Sequence, residues 1–145
     1  VVCHRPAQLL SGYRKRAPGA DLADLRAAFL GDAVYRMPSI RPAAAQTEAG
    51  GPAHSYLFCA EPLGPEFGAF HSAELYLASA DFARTATPEL LAVRKQLFQA
   101  WARFAAHGEP GWAAYDPSRS DSTRQISGQA LFVTEPPADI AAIWS

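Results

Sequence analysis

His54-Ser55-Tyr56-Leu57-Phe58-Cys59-Ala60 runs into Glu61-Pro62-Leu63-Gly64-Pro65-Glu66-Phe67-Gly68-Ala69-Phe70-His71. The first seven residues read as a β-strand. From Tyr56 onward they are apolar on both alternations, as a central strand covered on both faces requires. The prolines and glycines that follow break any regular element and predict a long loop. His71 ends that loop. In open α/β sheets, chemistry gathers beyond the carboxyl ends of strands, and His71 is expected there. Just after it, Ser72-Ala73-Glu74-Leu75 opens one or two helical turns to about Ser79. Ser72 is expected to cap them, and Glu74 to sit near the positive end of the dipole. An imidazole at the end of a loop, with a carboxylate close by, suits proton transfer.

Upstream, Val1 to Ala20 is punctuated by Pro6, Gly12, Pro18 and Gly19 and reads as irregular, with Arg14-Lys15-Arg16 a solvated basic cluster. Asp21 to Leu30 reads as a helix capped by Asp21 and ended by Gly31, with Leu22, Leu25 and Phe29 on one face. A second helix is expected from about Ser39 to Ala49, with Pro42 in its first turn.

Downstream, Pro88 to His107 carries the clearest helical signal: Thr87 as cap, Pro88 in the first position, Gly108 at the end. At about 100° per residue, Leu90, Leu91, Val93, Leu97, Phe98, Trp101, Phe104 and Ala105 share an arc of roughly 160°. Arg94 falls inside that arc and is expected to snorkel or pair with an acid. A polar loop then runs to Gly128. Gln129 to Thr134 reads as a strand, and Ala138 to Trp144 as a last helical turn or two.

The chain's 145 residues, 49% hydrophobic and 19% charged, describe a folded domain with a core. A net charge of -1 offers no electrostatic footing for nucleic acid or an anionic membrane. No apolar run approaches the roughly 20 residues of a membrane helix. Cys3 and Cys59 form no C-x-x-C pair and read as reduced thiols, and the four scattered histidines predict no metal site. No cofactor is called for. The chain opens on Val1 without a signal-peptide pattern. It is expected to begin in mid-protein, and the compartment stays open.

Several landmarks occur in an order that resembles the type-B carboxylesterases, the cholinesterase-like α/β-hydrolases. Gly31-Asp32-Ala33-Val34-Tyr35-Arg36-Met37-Pro38 is similar to the family's segment of Asp, an aromatic and Pro. Ser55-Tyr56-Leu57-Phe58 is similar to its aromatic strand, and Gly68 to Leu75 to its Gly-x-x-His-x-x-Glu-Leu motif. Trp101 to Pro110 is similar to its Trp-x-x-Phe-Ala-x-x-Gly-x-Pro signature, followed by Trp112-Ala113-Ala114-Tyr115, with Ala113 in place of a proline. The resemblance implies an α/β fold in which residues 1–145 are the C-terminal part of one hydrolase domain: helices plus the last strands of the central sheet. It implies a serine esterase with a Ser-Glu/Asp-His triad acting on a small-molecule carboxylic ester. By position His71 is the triad histidine, Ser72 and Ala73 line the substrate pocket, and Glu74 supports the site.

The chain departs from that pattern where it matters most. No Gly-x-Ser-x-Gly occurs, so the nucleophile elbow is absent. The oxyanion-hole glycine run is absent too; Gly50-Gly51 precedes a strand and does not match it. Asp32 is the one in-chain substitute for the triad acid, with helix capping its simpler role. The expected partner is therefore the N-terminal remainder of the hydrolase domain. Alone, the chain is expected to be inactive, to expose an apolar face and to aggregate. Two other readings stay open: a non-catalytic hydrolase-like binding or interaction module, and an unrelated small α+β protein that carries the motif by chance.

Overall fold

The computed structural model describes residues 6–119, 121–128 and 130–144; Cys3 and His4 lie outside them. Helices α1 (Pro6–Arg16) and α2 (Leu22–Gly31) come first. One π-helical turn, Asp32–Arg36, joins α2 directly to α3 (Met37–Glu48). Strand β1 (Ser55–Phe58) precedes short helices α4 (Ala73–Tyr76) and α5 (Ala80–Thr85), then α6 (Pro88–His107). Strands β2 (Thr123–Ile126) and β3 (Ala130–Val133) and helix α7 (Ala138–Trp144) complete the order.

The sheet runs β1-β2-β3. β1 pairs with β2 in parallel, with Ser55 opposite Thr123 and Phe58 opposite Ile126. β3 returns antiparallel, with Thr123 opposite Val133. Alternation along the strands puts Tyr56, Phe58 and Ile126 on one face. There they join Leu77, Phe82, Val93 and Leu97 in one core, with Trp101 packed at its margin. A second core is purely helical: Tyr13, Leu25, Met37 and Ile140, flanked by Phe29 and Trp144. The α/β class read from the sequence holds.

α6 forms over the span its signals predict. The Thr87 hydroxyl accepts from the Leu90 N–H, and Gly108, at φ 76°, lets its own N–H close on the Phe104 carbonyl. Its buried line is Val93, Leu97 and Ala100, narrower than the predicted arc, and Phe104 is 52% exposed. Among the described residues Arg94 finds no acid. Its Nε donates to the Leu77 carbonyl at 2.7 Å, and its guanidinium lies 5.1 Å above the Phe98 ring.

Elsewhere the chain differs from expectation. Residues 6–16 are helical because Tyr13 has a core to enter, which local punctuation does not reveal. Asp21 caps α2 as read, accepting from the Asp24 N–H, but Gly31 does not end it. The rod widens instead: the Met37 N–H reaches the Asp32 carbonyl, five residues back. Pro38 explains this, since it offers no N–H to the Val34 carbonyl and its ring crowds that oxygen. α3 starts at Met37, so Pro42 lies inside the helix rather than in its first turn. β2 falls within what reads as polar loop. Thr123 and Ile126 are buried while Arg124 and Gln125 are half-buried, so a central strand hides behind polar letters. α5 went unread as well.

Candidate functional site

Loop 59–72 positions His71. Backbone turns tie it together: Gly64 N–H to Glu61 carbonyl, Phe67 and Gly68 N–H to Gly64 carbonyl, Ala73 N–H to Phe70 carbonyl. At its foot the Cys59 N–H bonds the Ile126 carbonyl at 2.9 Å, anchoring the loop to the carboxyl end of the parallel β1–β2 pair; β1 is half-buried at the sheet's edge, not the central strand its apolar letters predict. The imidazole of His71 is exposed. Its ring lies on that of Tyr35, with centroids 3.9 Å apart and planes 17° from parallel. Among the described residues no hydrogen bond or ion pair takes either ring nitrogen.

Ser72 adopts φ 65°, ψ 17°, a left-handed conformation, and is the non-glycine residue with positive φ among those described. Such a backbone costs about 1–3 kcal/mol and persists only where its surroundings enforce it. It bends the chain sharply between His71 and α4. The predicted side-chain cap is not made; the Ser72 carbonyl accepts from the Leu75 N–H instead. Ser72 itself is half-buried, and Ala73 is fully enclosed. Glu74, half-buried, faces Tyr56: burial raises that phenol, the nearby Glu74 charge raises it further, and a hydrogen bond with Trp101 opposes both. Phe67 is 61% exposed, while Tyr76 meets Phe82 edge to face.

Tyr35 belongs to the π turn, and that turn is held from within. Asp32, 5% exposed, has both carboxylate oxygens occupied. The Tyr13 hydroxyl donates to Oδ2 and Arg36 Nη1 to Oδ1, each at 2.7 Å. Trp144 Nε1 donates in turn to the Tyr13 hydroxyl at 2.9 Å. Arg36 Nε lies 3.0 Å from Glu135 Oε2, a charge contact without hydrogen-bond alignment. Burial pushes the Glu135 carboxyl up, against the pull of Arg36. Burial and the bond to Asp32 push the Tyr13 phenol up, so it stays a donor. Asp32 is therefore neither a simple helix cap nor an acid with a free oxygen for His71.

Part of this site is legible in the sequence: the Asp32–Arg36 pair lies at helical spacing. Tyr13, 19 residues before Asp32, and Glu135, beyond β3, carry no local signal of it. Tyr35 stands out in the sequence only as part of a family-like segment, and nothing in the spacing announces its contact with His71.

No protein-family model matches this chain. Its fold is similar to part of a solved structure, an esterase from the anaerobe Clostridium hathewayi described as able to hydrolyse aliphatic aromatic polyesters. The TM-score is 0.57 and the identity 22%; the match covers 88% of this chain and 27% of that one. At that identity the likeness is one of fold. The chain thus spans about a quarter of the length of the esterase it matches.

Proposed function

We propose that these residues supply the general acid and base of a carboxylic ester hydrolase, with His71 as the proton carrier. One observation carries the reading. An exposed imidazole, its nitrogens unengaged by the described residues, ends the loop that leaves the carboxyl end of a parallel strand. The esterase-like fold and the resemblance to type-B carboxylesterases support it. In this mechanism His71 takes the proton of an attacking serine hydroxyl and returns it to the departing alcohol. An acid from outside these residues would orient it. In this reading Ser72, next to His71 in the chain, lines the substrate wall, and Ala73, fully enclosed, supports it from within. The serine and the triad acid belong to the N-terminal remainder of the domain, the proposed partner of this chain.

The test is to assay release of phenol from a simple aryl acetate by this chain alone and by this chain joined to the polypeptide encoded upstream. The reading expects no turnover from the first and hydrolysis from the second. An upstream region without a nucleophilic serine, or a joined protein with no activity on esters, contradicts it and favours a non-catalytic binding module.

A further inference from the structure

We propose that Tyr35 is a positioning residue for His71. Its ring fixes the plane of the imidazole, and the π turn that carries it is pinned by the buried Asp32–Arg36–Glu135 cluster. The inference rests on the acid–base role given to His71 above. A proton carrier must present one nitrogen to the nucleophile and the other to its acid, so the ring plane decides whether it works. The backbone at Ser72 is fixed by its left-handed turn, yet nothing among the described residues bonds the imidazole nitrogens. Rotation of the ring is restrained instead by contact.

That contact is the closest ring pair among the described residues. Tyr35 and His71 are 3.9 Å apart, whereas the other stacked pair, Phe29 and Trp144, is at 5.7 Å and the edge-on pairs lie at 5.3–6.1 Å. Neither ring is held by being buried, since Tyr35 is 44% exposed. Tyr35 is placed by its own backbone. In a regular helix the Met37 N–H would bond the Ala33 carbonyl; here it bonds that of Asp32, and the extra residue redirects the side chains of the turn. Both ends of the turn are tied down. Asp32 is held by Tyr13 and Arg36, and Arg36 by Glu135. The Tyr35 hydroxyl takes no part among the described residues, so the ring face alone does the holding.

The experiment uses the joined hydrolase with Tyr35→Leu, Tyr35→Phe and His71→Ala, read by the NMR shift of the His71 ring protons and by kcat and KM on an aryl acetate. Tyr35→Leu is expected to move the ring protons downfield, as a stacked aromatic neighbour is lost, and to lower kcat about 10²-fold with KM little changed. Tyr35→Phe is expected to restore both. Because Tyr35 is exposed, neither change removes core. Ring protons that do not move in Tyr35→Leu overturn the proposal, as does a Phe variant as slow as the Leu variant. Ester hydrolysis unaffected by His71→Ala overturns the hydrolase reading itself, and with it the catalytic meaning of the contact.

Discussion

Three residues apart on the same π turn, Asp32 and Tyr35 face opposite chemical situations. Asp32 is buried with both oxygens bonded; Trp144 donates in turn to Tyr13, and Arg36 also faces the Glu135 charge. Tyr35 faces outward onto an imidazole that has no polar partner among the described residues. A charge taken out of water must be paired or the fold fails, so the first arrangement answers to stability. An exposed imidazole pays no such penalty, and leaving it unpaired leaves it available. Under the role proposed for His71, the dense polar network serves the fold, and the sparse site, with a strained backbone next to it, serves the chemistry.

The contrast breaks first at Arg36. Arg36→Met strands two buried carboxylates together and is expected to cost about 3–5 kcal/mol of stability, read as a fall in the urea midpoint. A change under about 0.5 kcal/mol would mean that the cluster does not hold the π turn.

Glu135 sharpens it through pH. Its folded carboxyl is raised above the ordinary 4.5, chiefly by burial. The folded chain therefore keeps a proton that the unfolded chain has released, and the stability present below about pH 4.5 is lost as pH climbs through the raised value. Subtracting the stability of Glu135→Gln from that of the parent across this window should leave a falling difference. A difference that stays level or rises contradicts the assignment.

At the sparse end, Ser72→Gly relieves the left-handed backbone at φ 65°. It is expected to raise stability by about 1 kcal/mol in urea denaturation, with the sharp bend retained. A loss of stability would show that the serine side chain, and not the bend, matters there.

Legibility followed the same divide. α6 could be read from its own letters, because Thr87, Pro88 and Gly108 act on the nearest turn and Val93 and Leu97 repeat at helical spacing. α1 and β2 could not, because their burial is decided by distant partners. Tyr13 enters a core built with Leu25, Met37 and Ile140, and Arg124 and Gln125 sit in a central strand between two others. His71 is singled out by its loop and its neighbours in sequence, and its role stands as a proposal. Ser72 was placed correctly beside it but given a capping bond that its positive φ does not allow. Tyr35 and the tie from Glu135 depend on tertiary contact and a widened helix, for which Pro38 was the one local cue.

The measurement that bears most directly on His71 pairs two readings on one variant. In the proposed hydrolase, formed by this chain with the polypeptide encoded upstream, His71→Ala should lower aryl-ester turnover by about 10⁴-fold or more. Its unfolding free energy should stay within about 0.5 kcal/mol of the parent, as for an exposed side chain. Undiminished turnover, or a loss of stability large enough to account for the lost activity, would contradict the account.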